Sequence, residues 1–238
     1  MKDNGLLVQY FNANTPADQT LWAKAAKDAA TLKKLGATAV WFPPATKGAA
    51  GKDDRGYAPY DLYDLGEFNQ KGSVGTRYGT KKEYLEAIDA MKAQGINVYA
   101  DIAVRQKLGA DSVEKVTAAD FNAKDIPQMI GNKKIVGALS KFTFPGRKSK
   151  YSKFKWNWNH FAGIDWQQDD FKRRVCELSG MTETEAEKKY KLSKYDYIIG
   201  SELDLYNQEV YDELMAWAKW YEDVTGVDGF RFQEAEKI

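Results

Sequence analysis

The chain opens with short apolar runs alternating with segments of helical period. Residues 5–11, Gly-Leu-Leu-Val-Gln-Tyr-Phe, form a compact apolar run that predicts a buried first strand. Residues 21–35 place Leu21, Ala25, Ala29, Leu32 and Leu35 at helical spacing, with lysines opposite and Gly36 as a stop. Residues 37–42, Ala-Thr-Ala-Val-Trp-Phe, predict a second strand that Pro43 and Pro44 break. Residues 81–94 are helical again through Tyr84, Ile88 and Met91, with Thr80 as N-cap and Gly95 at the C-terminus. Residues 96–104 predict a third strand. From 107 to 200 the rhythm stops and the text becomes irregular, aromatic and basic, longer than an ordinary connection, which predicts an inserted subdomain. It resumes with a helix over 208–225, whose buried face carries Val210, Leu214, Trp217, Trp220 and Tyr221, and a fourth strand over 228–232. Strand and helix alternating at this spacing predict parallel βαβ units, hence an α/β fold. Three segments follow: 1–106 with the first βαβαβ part, 107–200 as the insertion, and 201–238 with the last helix and fourth strand.

With 238 residues, the chain is long enough for one large α/β core. A net charge of +1 gives no electrostatic reason to expect nucleic acid or another polyanion. No stretch is apolar and long enough for a membrane span, and the first residues lack the apolar core of a signal peptide. The single cysteine, Cys176, excludes an internal disulfide and predicts a reducing, cytoplasmic setting. It sits in a charged stretch read as helical, without partner cysteines, and one histidine, His160, cannot build a zinc site. Residues 182–189 place acids before bases, as a surface helix prefers. The run 147–156 interleaves basic and aromatic side chains; in a nearly neutral protein it reads as scaffold and solvated surface.

Specific motifs appear in a fixed order: Gln9-Tyr10-Phe11; Ala39-Val-Trp-Phe-Pro-Pro-Ala45; Gly56-Tyr57 followed by Tyr60-Asp-Leu-Tyr-Asp-Leu-Gly-Glu-Phe68; Arg77-Tyr-Gly-Thr80; Asn97-Val-Tyr-Ala-Asp101; Phe144-Pro-Gly-Arg147; Phe154-Lys-Trp156; and Asp228-Gly-Phe-Arg231. This series resembles the α-amylase family, glycoside hydrolase family 13, in its bacterial liquefying and cytoplasmic type. The resemblance runs the length of the chain and implies the first half of a (β/α)8 TIM barrel, strands one to four, with the family's subdomain inserted after strand three. Strands five to eight and the family's C-terminal β domain have no counterpart here. Site residues of such a barrel lie at the C-terminal ends of its strands.

Several positions depart from the family pattern. The resemblance puts the nucleophilic aspartate at Gln233, a neutral carboxamide that cannot form a glycosyl ester. Arg231, which orients that nucleophile in the family, stands in place, and Glu202 or Glu236 is expected to satisfy it. Glu234 follows on the opposite face of the strand. The sugar-contacting histidine of strand three is replaced by Gln106, and the calcium-ligating asparagine by Arg105. Further calcium positions carry Ala162, Glu202 and Lys237; Asp196 survives without its companions. The family's calcium is therefore expected to be lost, leaving no cofactor. Tyr57 matches a tyrosine that stacks on sugar, or serves the fold alone. The family's other two catalytic carboxylates belong to strands five and seven.

These losses are confined to site positions while scaffold motifs persist, which predicts an engineered protein or a pseudoenzyme. The expected function is that of a non-catalytic half-barrel from an α-amylase, an ancestral endo-hydrolase of α-1,4-glucans. Its unpaired edge strands would close against a second copy, as a homodimer, or against a complementary C-terminal half. Two alternatives stand beside it: a module that binds maltooligosaccharides weakly through Tyr57, Trp41 and the aromatics of the inserted subdomain, and a subunit of a split amylase that needs a C-terminal half.

Overall fold

The computed structural model describes residues 5–121, 129–167, 172–177 and 200–233. In chain order the elements are β1 (Leu7–Gln9), α1 (Leu21–Lys34), β2 (Ala39–Phe42), β3 (Lys47–Gly48), β4 (Pro59–Asp61), α2 (Lys81–Ala93), β5 (Asn97–Ile102), β6 (Gln106–Lys107), β7 (Ser112–Phe121), β8 (Met129–Lys141), β9 (Phe161–Gln167), β10 (Lys172–Glu177), β11 (Ser201–Leu203), α3 (Gln208–Thr225) and β12 (Gly229–Phe232). They fall into two compact bodies. One comprises Met1–Val104, Phe144–Lys153 and Met215–Ile238; the other comprises Arg105–Thr143 and Phe154–Leu214. Among the described residues, no helix is long and apolar enough to cross a membrane.

The first body is built on a four-stranded sheet in the order β1-β2-β5-β12, parallel throughout. This is the sheet that the strand and helix alternation predicts, and it is open, not closed into a barrel. One face is apolar: Val40, Phe42, Val98, Ala100 and Ile102 are all buried. The rings of Trp22 and Phe42 lie 5.3 Å apart, and Trp22 and Tyr84 4.7 Å apart, joining α1, α2 and β2. Tyr84 and Tyr221 share a hydroxyl hydrogen bond of 2.8 Å between α2 and α3, so two buried phenols satisfy each other. The other face is mixed: Trp41 and Tyr99 are half-buried, whereas Gln9, Asn97 and Arg231 are exposed.

Both early helices end as their glycines predict. Gly36 (φ +89°) and Gly95 (φ +65°) take the left-handed conformation. The amides three residues past each helix end reach back, Ala37 to the Leu32 carbonyl at 3.0 Å and Ile96 to Met91 at 3.1 Å. These are Schellman turns, in which glycine avoids the Cβ clash of positive φ. Thr80 and Glu83 form a capping box at the start of α2.

Three expectations change. The first strand is not buried: Leu6 is 44% and Leu7 56% exposed, because β1 pairs with β2 alone among the described residues and forms the sheet's edge. Leu35, placed on the apolar face of α1, is exposed because the chain has already turned out of the helix into the glycine cap. The segment read as irregular is regular. It contributes β6–β10, which with β11 form the six-stranded sheet of the second body, in the order β6-β11-β9-β10-β7-β8 with antiparallel pairings. Cys176 accordingly lies in β10, where pairing with β7 and β9 on both sides overrides the helical reading. The predicted helix at 182–189 lies outside the described residues. The core of the second body includes Phe142, Trp156 and Phe161, beside Val116, Ala118, Val136 and Ala138. His160 is buried there as structure: Nδ1 accepts from the Asn157 amide at 3.0 Å, leaving Nε2 to donate to Glu209 at 3.1 Å.

A buried polar network fixes the β3–β4 hairpin in the first body. Lys47, fully buried, donates to the carbonyls of Ser73 and Val74 at 2.8 and 2.6 Å and lies 3.6 Å from Asp64. Asp64 accepts amides of Gly66 and Glu67 at 2.9 and 2.8 Å. Gln70 bridges Asp61 and Asp64, and the Arg147 Nε donates to Asp61 at 2.8 Å. Arg147, first of the basic and aromatic run, is thus core and not surface. Replacing Lys47 by methionine leaves Asp64 and several carbonyls without their cation. The expected loss is about 3 kcal/mol of stability, measured by denaturant unfolding.

Candidate functional site

Neighbouring strands in parallel register carry side chains at the same level on the same face. Arg231 of β12 is the register partner of Asp101 of β5. Since Val98, Ala100 and Ile102 point into the buried face, Asp101 points to the opposite one, as does Arg231. The Arg231 NH1 donates to the two Asp101 carboxylate oxygens at 3.1 and 3.4 Å. Asp101 is fully buried, and its Oδ2 also accepts the Tyr57 hydroxyl at 2.7 Å. Tyr57 comes from the loop between β3 and β4, the hairpin locked by Lys47. Burial first, and then its bond to Asp101, hold the Tyr57 phenol well above the usual tyrosine range. The Arg231 guanidinium lies 5.0 Å from the centre of the Trp41 ring, and Phe11 meets Trp41 edge-on at 5.3 Å. Tyr57, Trp41, Asp101 and Arg231 therefore form one cluster at the C-terminal ends of the parallel strands.

The expected partners of Arg231 are not the observed one. Glu202 pairs elsewhere, Glu236 lies outside the described residues, and Asp101 takes the role. Asp101 is the functional residue that the sequence reading left unassigned. The signal was present: it is the single acid on the non-apolar face of the third strand, level with Arg231 once the two strands pair in parallel. Gln233 follows β12 in a turn, its amide bonded to the Ile102 carbonyl at 3.1 Å. Its side-chain Oε1 is buried and accepts no hydrogen bond among the described residues. Glu234 and Lys237 lie outside those residues. Chemically, the cluster offers a locked carboxylate, a neutral carboxamide and a phenol held protonated. Both oxygens of Asp101 are engaged and shielded, so it is poorly placed as a nucleophile.

The second body holds the remaining predicted positions. Arg105 is buried, and its Nε and NH2 donate to one oxygen of Glu202 at 2.9 and 2.6 Å. The backbone reinforces the pair, since the Leu203 amide donates to the Arg105 carbonyl at 2.8 Å. Gln106 begins β6, half-buried, in register with Glu202 of β11, and Ala162 is buried in β9. These side chains do not fit a calcium ion. Calcium needs six to eight oxygen ligands; Arg105 has only donors, Ala162 has no polar atom, and Glu202 already faces a guanidinium. Asp196 and Lys237 lie outside the described residues. Among the described residues, no group of three or more His, Cys, Asp or Glu side chains is arranged to hold a metal.

No family model matches the chain. It is 46% identical over 236 residues to the α-amylase of Geobacillus stearothermophilus, covering 99% of this chain and 43% of that protein. It is 37% identical over 239 residues to the cytoplasmic α-amylase of Escherichia coli K12, covering 99% of this chain and 48% of the relative. The chain thus spans less than half the length of these curated relatives. A solved α-amylase structure from Geobacillus thermoleovorans, complexed with acarbose, matches with a TM-score of 0.52 at 15% identity, covering 99% of this chain and 41% of that one. At that identity the likeness concerns the fold alone.

The buried Arg105–Glu202 pair gives a direct expectation. Arg105→Gln removes the cation and leaves the Glu202 carboxylate buried, with an expected cost of about 3 kcal/mol in denaturant unfolding. Unchanged stability would show that the pair is not a structural anchor.

Proposed function

Because this chain is related over its whole length to the α-amylases, we propose that it is a non-catalytic half-barrel of that family, a scaffold that associates through its open sheet edges. The observation that carries the reading is the state of position 233. A retaining glycosidase needs a carboxylate there and a second carboxyl group roughly 5 Å across the bond. Gln233 supplies neither charge nor nucleophile, and Arg231, two residues earlier, pairs with Asp101. The backbone accommodates glutamine there, its amide bonding to the Ile102 carbonyl at 3.1 Å and β12 keeping its parallel register with β5, although its side-chain Oε1 accepts no hydrogen bond among the described residues. This favours an engineered protein or a pseudoenzyme over a damaged gene.

Association has its own support. Among the described residues, β1 and β12 each pair on one side only. Apolar side chains sit beside both edges: Leu6 and Leu7 at β1, and Phe232 (43% exposed) at β12. Free strand edges flanked by apolar surface favour pairing with another chain. A second copy brings four further parallel strands, making the eight at which such a barrel closes. With a net charge of +1, two copies repel each other little. A complementary C-terminal half would meet the same edges. The Arg105–Glu202 pair supports a scaffold that needs no calcium, and the lone cysteine supports a cytoplasmic setting.

Two measurements test the reading. Incubation with maltooligosaccharides is expected to release no reducing ends above buffer; measurable endo-hydrolysis would refute the non-catalytic reading. Light scattering through a dilution series is expected to give the mass of a dimer, and a persistent monomer would refute self-association.

A further inference from the structure

The two open edges of the four-stranded sheet fit each other in one register. Within the sheet, Gln9 lies level with Trp41, Tyr99 and Gly229. A closed barrel of such strands is sheared by about eight residues around its circumference, hence by about four across each of two copies. In one direction that displacement sets β1 of a second copy against residues 223–225, which lie inside α3, so no strand is met. In the other direction it sets Phe230 opposite Leu6, Arg231 opposite Leu7 and Phe232 opposite Val8 of the second copy. We propose that two copies of this chain close through two identical seams, β12 of each beside β1 of the other, with Phe232 opposite Val8. The inference rests on the self-association reading and adds to it which edge meets which, and in what register.

Backbone and side chains support the same register independently. The Tyr10 amide donates inward to the Trp41 carbonyl at 3.0 Å, and the Gln233 amide inward to Ile102 at 3.1 Å. Successive residues of a parallel strand direct their backbone groups to alternate sides. Leu7 and Gln9 on β1, and Phe230 and Phe232 on β12, therefore direct theirs to the open side. In the seam, the Phe232 amide meets the Leu7 carbonyl of the second copy, and the Gln9 amide of that copy meets the Phe232 carbonyl. The faces agree as well. Val8 is the register partner of Val40, and Phe230 and Phe232 are those of Ala100 and Ile102, so all belong to the apolar face. Leu6 and Phe232, both exposed in the single chain, thereby gain apolar neighbours. A slip of one residue would set apolar side chains against the opposite face. The match lies between two edges of one chain, which is why the occupant is a second copy.

The test is disulfide trapping between full-length chains. Val8→Cys and Phe232→Cys are made as separate chains in a Cys176→Ser background, mixed at dilution, concentrated and gently oxidised. The mixture is expected to form a covalent dimer about tenfold faster than either chain alone, because only the mixed pair comes within disulfide reach. A mixture of Leu7→Cys with Phe232→Cys, displaced by one residue and on opposite faces, is expected to lag by a similar factor, about tenfold. Thermal melts establish that each variant is folded, and light scattering on the unsubstituted chain gives its mass. A dimer whose Val8→Cys and Phe232→Cys chains fail to link overturns the seam and leaves association standing. So does a dimer in which Val8→Cys links to itself, which would place β1 against β1, or one in which the Leu7→Cys mixture links as fast. A chain that stays monomeric at every concentration overturns both the association reading and the seam.

Discussion

A carboxylate with no exposure to water must be compensated where it stands, and Asp101 sets that condition for the sheet end. Its charge is met by one nitrogen of Arg231 and one hydroxyl from Tyr57. Removing a charge from water is costly unless hydrogen bonds and an opposite charge replace the solvent. The two partners arrive from different parts of the chain, one from the adjacent strand and one from a hairpin some forty residues earlier. Strand register, hairpin position and the Trp41 stack are therefore coupled through one buried group.

The hairpin can deliver Tyr57 because it is itself pinned by an internal ion. The Lys47 ammonium sits among backbone carbonyls and the Asp64 carboxylate, much as a bound cation would organise a loop. Burial pulls the Lys47 ammonium down and Asp64 opposes that shift; burial likewise raises the Asp64 carboxyl. Arg105 does something comparable in the second body, where its guanidinium is paired with Glu202. In both places a covalently attached cation supplies the positive charge that orders neighbouring oxygens. Such a charge cannot be diluted away or chelated.

Much of the first body was legible in the sequence. Apolar periodicity marked α1, α2 and α3 nearly to the residue, and the glycines at 36 and 95 marked their ends, because these signals depend on local backbone chemistry. The four parallel strands were legible because their buried face is continuously apolar. The second body was not, since the pairing of β7 with β8 and of β9 with β10 is set by contacts between strands and leaves little periodic trace. At the site, Gln233, Arg231 and Arg105 could be singled out by departure from, or agreement with, a family pattern. The role of Asp101 needed register: which residue stands beside Arg231 is a property of two strands together. Likewise Glu202 was expected at a former calcium position or beside Arg231, and its actual partner, Arg105, became visible only when β11 and the segment entering β6 lay side by side.

The glycine turns that end α1 and α2 have a consequence for how this chain can vary. Each passes into a strand within two or three residues, Gly36 into Ala39 and Gly95 into Asn97. There is no slack between helix end and sheet. Inserting or deleting one residue there would turn the following strand by one face, exchanging Val40 and Phe42 for Trp41, or Val98 and Ala100 for Tyr99 and Asp101. Length variation in this body is therefore confined to the connections at the opposite ends of the strands, where the loops can change without reversing the sheet.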